Sequence, residues 1–350
     1  MRTLLALPRW LVANLKNEVL VLPSRSFVLA GCVLLLALPL AWNDPYVLRV
    51  LTMAAIFAIY AASWDLLAGY TGQVNFGHAL FFGVGAYASA LVTLRLGWSP
   101  WLAVPVASLA AMVAGFLAGI LCLRLRGAYL SLASLAFPLI LTGVLFAFPG
   151  FSGGELGISG FRRIVTSPLA NYYLAVVVML ALVFAMWKIG DSNTGLIFHA
   201  IREDELAARA SGINTTRYKL LAFALSALFA GVSGALFAHF LRVAGPSSLE
   251  VALSFQAVIW GISGGVATIY GPVIAVFFLY PLTELLLTEF DIFKEIRLLL
   301  YALIVLLVLL FMPRGLTPWV RDKIEAVCPR CKNRNVFTRH SCRLCGASLE

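Results

Sequence analysis

Charge is scarce in this sequence. Asp, Glu, Lys and Arg make up 12% of its 350 residues, where soluble domains carry about a quarter. That excludes an ordinary solvated globule. The chain also lacks the pattern GxxxxGK[ST], so it has no phosphate-binding loop with which to hydrolyse ATP. No Ser-His-Asp order and no paired carboxylates sit in a context that would support catalysis, so the sequence reads as a non-enzyme. Cysteine is sparse before the last 23 residues: Cys32 and Cys122 stand alone in apolar runs, where a thiol serves as a small hydrophobic filler. Residues 1–25 do not read as a cleavable leader either. Residues 1–25 spread Arg2, Arg9, Lys16 and Arg25 among leucines, without a compact apolar core and a small-residue cleavage site. They read as an interfacial, partly amphipathic segment.

Hydrophobic residues are abundant. They form 61% of the chain, and its mean hydropathy is +0.94. A membrane-spanning helix needs roughly 20 apolar residues. Ten stretches qualify, at about 26–42, 46–69, 76–95, 100–123, 128–149, 170–189, 219–241, 251–267, 271–289 and 296–312. The expected class is therefore an all-α polytopic membrane protein of about ten transmembrane helices. Residues 267–272 separate two of these stretches and mark a broken or re-entrant pair. The domain reading is 1–25 as an N-terminal cytoplasmic or interfacial segment, 26–315 as the transmembrane domain, and 316–350 as a cytoplasmic tail.

The net charge of +10 reports orientation before it reports partners. With ten spans and both termini on one side, that side holds 19 of the 26 Lys and Arg. These are four in 1–25, Arg124 and Arg126, five from Lys188 to Lys219, and eight in 313–350. The split places both termini in the cytoplasm, with loop 190–218 inside and loop 150–168 outside. Membrane lipids are the expected neighbours, and nucleic acid is a minor option.

Three segments stand out against the apolar background. The first is Gly69-Tyr70-Thr71-Gly72-Gln73-Val74-Asn75-Phe76-Gly77-His78-Ala79. Amide, hydroxyl and imidazole groups are costly in hydrocarbon unless they find partners or line a wet path. Gln73, Asn75 and His78 are therefore candidates for a translocation pathway, and hydrogen bonds that hold a helix break are the plain alternative. Asp65 and Glu284, ionisable within predicted spans, call for a cavity or a partner. A weak echo relates Gly72–Pro100 to Gly264–Pro281, as in transporters built from repeats.

The second segment is the cytoplasmic loop. Residues 200–211 read as one short helix with Glu203, Asp204 and Glu205 early and Arg209 late, which suits the helix dipole. Glu205 and Arg209 are an i,i+4 pair, Gly212 is placed to cap the end, and Asn214 or Thr215 can cap the next helix. Ala207, Ala208 and Ala210 leave small side chains that another protein could approach, as a coupling element requires. A solvated connector is the plain alternative. The third segment is Ser152-Gly153-Gly154-Glu155-Leu156-Gly157, on the external side.

The loop Glu205–Ile213 with Arg217–Phe223 behind it resembles the coupling loop of the branched-chain amino acid ABC permeases, the LivM-like family. So do Gly69–Ala79, Phe81–Ala90, Ser152–Gly157, and Gly261-Ile262-Ser263-Gly264-Gly265 with Gly271-Pro272. The resemblance covers about residues 40–315. It implies an inner-membrane permease subunit of an ATP-driven importer, partnered by a LivH-like second permease, two cytoplasmic ABC ATPases and an extracytoplasmic solute-binding protein. It assigns Glu205, Ala207, Ala208 and Gly212 to ATPase coupling. Gly153, Gly154 and Glu155 fall where a binding protein would dock. Urea and short-amide permeases share these motifs and form one rival reading. A membrane sensor that signals through its tail forms another.

That tail lies outside the resemblance. Cys328-Pro329-Arg330-Cys331 and Cys342-Arg343-Leu344-Cys345 form two C-x-x-C knuckles. Two such turns bring four thiolates onto one tetrahedral ion, and four thiolates favour zinc. Residues 328–345 thus read as a zinc-ribbon-like module, with iron on the same four cysteines as the alternative, His340 unneeded and disulfides disfavoured by a cytoplasmic placement. The permease domain itself calls for no cofactor.

Overall fold

A computed structural model describes residues 23–41, 44–123, 125, 127–289, 296–312, 314–331, 334–336, 342, 345, 347 and 348. The reading of 1–25 as an amphipathic segment, the cytoplasmic Arg124 and Arg126, and His340 lie largely or wholly outside these residues. Each of the ten apolar stretches coincides with one helix. In chain order these are α1 (Pro23–Ala41), α2 (Pro45–Thr71), α3 (Ala79–Arg95), α4 (Pro100–Cys122), α5 (Ala128–Ala147) and α6 (Pro168–Gly190). After two short helices, α7 (Asn193–Glu203) and α8 (Glu205–Ala210), come α9 (Thr215–Leu241), α10 (Val251–Gly264), α11 (Tyr270–Glu289) and α12 (Ile296–Phe311). Among the described residues, five helices are long and apolar enough to cross a membrane: α2, α4, α5, α6 and α9. The others are shorter or less apolar, and α10 and α11 are the two pieces of the broken pair.

The chain forms two compact units. Asn43–Leu316 is one; Met1–Trp42 with Thr317–Glu350 is the other. The first unit is built around α2. Pro45 fixes the first turn, where a missing N–H costs nothing, and the Asp44 carboxylate accepts the Tyr46 N–H at 3.2 Å. At 27 residues α2 is about 40 Å long. Ala54, Ala55, Ala58, Ala61 and Ala62 along it are fully buried, and such small residues let helices approach closely.

The same logic seats α9. A Cβ on Gly85 would fall on the Gly231 carbonyl oxygen, and one on Gly115 would fall on Ala227. Two hydroxyls then lock α9 to α2: Ser226 donates to the Ser63 carbonyl and Ser233 to the Ile56 carbonyl, both at 2.7 Å. The outward residues of α4, α5 and α6, among them Leu109, Leu117, Leu132, Leu139 and Phe184, are exposed. Apolar exposure on that scale marks a lipid or partner surface.

Two small sheets complete the described structure. β1 (Ile158–Ser159) pairs antiparallel with β2 (Val243–Ala244), with Ile158 opposite Ala244. In the second unit, α13 (Leu316–Ile324) leads into a hairpin of β3 (Glu325–Val327) and β4 (Arg334–Val336).

The structure corrects one element. Residues 200–211 are not one helix, because Asp204 interrupts them in extended conformation (φ −153°, ψ 106°). Its carboxylate accepts the N–H groups of Leu206 and Ala207 at 2.8 and 3.0 Å. This is an N-cap: Asp204 starts α8 instead of continuing α7.

Candidate functional site

The Gly69–Ala79 signature ends α2 and starts α3. Gly72 sits in the left-handed region (φ 70°, ψ 10°) and its N–H closes the helix on the Ala68 carbonyl, a conformation that glycine adopts without a Cβ penalty. The chain then runs irregularly to His78. Four of its backbone groups are met by side chains from elsewhere. Ser134 Oγ accepts the Phe76 N–H, Ser254 Oγ accepts the Ala79 N–H, and Ser131 Oγ donates to the Val74 carbonyl, each at 2.9 Å. Trp64 Nε1 donates to the Asn75 carbonyl at 2.9 Å. Non-helical backbone at membrane depth survives where it is buried in protein or lines a water-filled cavity.

Within this break the three pathway candidates separate. Asn75 is buried, and its side-chain oxygen accepts the Gly77 N–H at 2.8 Å. His78 is fully buried, with Nε2 2.9 Å from Ser63 Oγ. Gln73 alone reaches a cavity, of about 260 Å³, lined also by Gly72, Val74, Ser131, Glu205 and Lys219.

Asp65, one face of α2 away, supports a second break that the sequence located but could not explain. Between α10 and α11, Ala267 and Ile269 are held at φ 62° and 58°. Each such residue costs of the order of 1–3 kcal/mol. The wholly buried Asp65 carboxylate accepts the N–H groups of Ala267, Thr268 and Ile269 at 2.7, 3.0 and 2.9 Å. Hydrogen bonds to a charged acceptor contribute about 1.5–3 kcal/mol each, enough to hold that backbone. Glu284, the second carboxylate singled out in a predicted span, is hydrogen-bonded to Tyr280 on α11.

The cytoplasmic-loop candidates gather around Glu205. Its carboxylate takes Arg209 Nη2 and Lys219 Nζ, both at 2.6 Å, and Arg209 Nε also donates to Thr215 Oγ1 at 2.7 Å. Burial raises the Glu205 pKa, but Lys219, Arg209 and Thr215 outweigh it and hold the group below its ordinary value. Gly212 (φ 84°) ends α8, with its N–H on the Arg209 carbonyl and that of Ile213 on the Ala208 carbonyl. This pairing is a Schellman cap. Asn214 caps α9 by accepting the Arg217 N–H at 3.1 Å. The three alanines do not share a face: Ala208 is buried, while Ala207 and Ala210 are exposed beside Leu206, which is 68% exposed.

On the opposite loop, Gly153, Gly154 and Gly157 all have positive φ. A Cβ on Gly157 would strike the Ala244 carbonyl oxygen, so glycine lets this loop reach the β1–β2 pair. Ser152 Oγ donates to the Leu145 carbonyl at 2.5 Å. Glu155 and Leu156, the latter 90% exposed, project from the turn so anchored.

The tail brings Cys328, Cys331, Cys342 and Cys345 together, with all four sulfurs within 4.8 Å of one another. Cys328 Sγ lies 3.5 Å from Cys345 Sγ, and Cys331 Sγ lies 3.4 Å from Cys342 Sγ. Sulfurs at the corners of a tetrahedron around a zinc ion stand about 3.8 Å apart. The Cys331 and Arg330 backbone N–H groups hold the Cys328 thiol below its usual range, which favours the thiolate that a metal takes.

The sequence left three partners unseen. Lys219 reads as the start of a span, yet it completes the Glu205 cluster. Arg202 reads as one more loop cation, yet its Nη1 donates to the Gly69 carbonyl at 2.6 Å. Asp65 is conspicuous as a carboxylate in an apolar run, but its partners lie some two hundred residues away.

The similarities to known proteins agree with this arrangement. A family model described as "Branched-chain amino acid transport system / permease component" matches residues 46–309. The high-affinity branched-chain amino acid transport system permease protein LivM of Salmonella typhimurium is 28% identical over 325 residues, covering 83% of this chain and 75% of that protein. LivM of Escherichia coli K12 is 28% identical over 327 residues, covering 84% and 76%. The autoinducer 2 import system permease protein LsrC of Yersinia pseudotuberculosis serotype O:1b is 28% identical over 259 residues, covering 70% and 68%. No solved structure matches the chain. The family match takes in every long apolar helix of the first unit, together with both breaks and the Glu205 loop. The chain is an integral membrane protein and belongs to the family of branched-chain amino acid transport permease components.

Proposed function

We propose that this chain is one transmembrane subunit of an ATP-driven importer for branched-chain or related amino acids in the plasma (inner) membrane. It crosses ten times with both termini cytoplasmic. A LivH-like second permease completes the pathway, two cytoplasmic ABC ATPases supply the energy, and an extracytoplasmic solute-binding protein delivers solute at the Gly153–Glu155 turn. The observation that carries this reading is the Glu205 cluster. It ties α8 to the base of the long α9 through Lys219 and Thr215, while Leu206, Ala207 and Ala210 stay exposed. A tethered surface of that kind can transmit a push. Within the site, Glu205, Ala208 and Gly212 hold the surface, and Ala207 belongs to the surface itself.

Gln73 is the pathway residue that the geometry favours. Asn75 holds the α2–α3 break through the Gly77 N–H, and His78 ties it to Ser63 on α2. The tail binds one zinc ion through its four cysteines, which supplies the folding energy that so small a module cannot draw from a core.

The similarity to LsrC, a permease of autoinducer 2 import, favours a second reading in which the solute is not an amino acid. Uptake separates the two. The assembled importer in proteoliposomes should take up labelled leucine, isoleucine or valine only with ATP inside and binding protein outside. Uptake of urea, a short amide or autoinducer 2 in their place would move the solute assignment. ATP-independent behaviour with no uptake at all would favour the sensor reading.

A further inference from the structure

The short helix α7 caps α2. Arg202 Nη1 donates to the Gly69 carbonyl at 2.6 Å. That carbonyl is among the last four of α2, which have no partner inside the helix, and a cation is favoured at such an end. The same arginine lies along Gly72, where a Cβ would stand 3.4 Å from Arg202 Cγ. Nearby, the Tyr70 ring packs against His199 of α7, tilted by 43° with centroids 4.7 Å apart. One turn before Gly69 on α2 is Asp65, which holds the three N–H groups of the α10–α11 break. Gly69 joins the two contacts. A Cβ there would fall on Asp65 Oδ1 and stand 2.7 Å from the Ala267 nitrogen. The missing side chain is therefore the gap through which the Ala267 N–H reaches the carboxylate.

We infer that Arg202 and Asp65 are paired positioning residues that link the cytoplasmic loop to the 265–269 break through the last turn of α2. Displacement of α7 moves the Gly69 turn, and Asp65 passes that movement to Ala267–Ile269. The break is a suitable receiver. Its positive-φ backbone is held by the carboxylate, and a strained segment released from its restraint has a second arrangement to adopt. How the link is used rests on the import reading, whereas its existence is a property of this chain alone.

Hydrogen exchange on the purified full-length chain tests the link. Arg202→Gln should speed exchange of the 267–269 amides about tenfold by favouring local opening, and Arg202→Lys should restore most of the protection. The α9 amides near Ser226 and Ser233 should not change. Coupling is reciprocal, so Asp65→Asn should in turn speed exchange in 198–203. Either variant leaving the far end unchanged overturns the inference. If Arg202→Gln does not insert, the Asp65→Asn arm decides it. In the assembled importer, Arg202→Gln should lower solute moved per ATP hydrolysed, with Arg202→Lys recovering it. A proportional fall in both would contradict the link. No ATP-driven uptake by the wild-type chain would end the import reading and leave the exchange result standing.

Discussion

The two helix breaks solve one problem in opposite ways. At 72–78 the demand is spread over Ser131, Ser134, Ser254 and the Trp64 indole, each making a single bond. At 265–269 the N–H groups of Ala267, Thr268 and Ile269 converge on one carboxylate, Asp65, and the Thr268 hydroxyl donates to the Gly265 carbonyl. A distributed arrangement tolerates the loss of any member. A concentrated one fails or moves as a unit. The first suits a fixed element of a pathway, and the second suits an element that changes state.

The largest effect should therefore come from Asp65→Ala. Three N–H groups, two of them buried and that of Ala267 half-buried, would lose their acceptor, at about 1–3 kcal/mol for each buried one. A net loss of about 4 kcal/mol should appear as a lower unfolding midpoint or as failure to insert. The Glu205 cluster is a second concentrated junction. Glu205→Ala would strand Lys219, whose side chain is only 8% exposed, and should cost about 3 kcal/mol, the low end for removing one partner of a buried pair because Glu205 itself is partly exposed. Its acid response follows from sign. The folded-state pKa lies below the ordinary value, so the stabilisation is present above that ordinary value and is lost as pH falls through the lower, folded one. Proteolysis of loop 190–218 should rise only in acid below the usual glutamate range, and Glu205→Gln should abolish that pH dependence.

Ser134→Ala, at the distributed break, should cost only about 1 kcal/mol. A cost equal to that of Asp65→Ala would erase the contrast. Metal removal should have the least effect on the transmembrane helices. Cys331→Ser or a chelator should take bound zinc from one equivalent to none, read by metal analysis, and leave their unfolding midpoint unchanged within about 0.5 kcal/mol. Four freely reactive thiols in zinc-replete protein would contradict the metal assignment.

Much of this was legible in the sequence because apolar runs report helices directly. All ten stretches became helices, and the glycine-marked breaks fall where Gly72 and Gly265 stand. The cysteine knuckles were legible for a similar reason, since C-x-x-C is a local geometry. Long-range assignments were not. Nothing near Asp65 in sequence announces Ala267–Ile269, and nothing near Gly69 announces Arg202. The inward turn of Ala208 was hidden as well. The phase of so short a helix is set by its Asp204 cap and its ties to α9, and the alanine pattern does not determine it. Of the pathway candidates, the polar character of Asn75 and His78 marked a break to be satisfied, while Gln73 reaches open space.

The most direct test of the loop as the cytoplasmic coupling surface is thiol accessibility of Ala207→Cys. In inside-out vesicles without the ATPases it should react with a membrane-impermeant maleimide. With the ATPases assembled it should be protected and should cross-link to them, while Ala208→Cys stays unreactive throughout. Reaction of Ala207→Cys only in right-side-out vesicles, or full reactivity with the ATPases bound, would contradict the account.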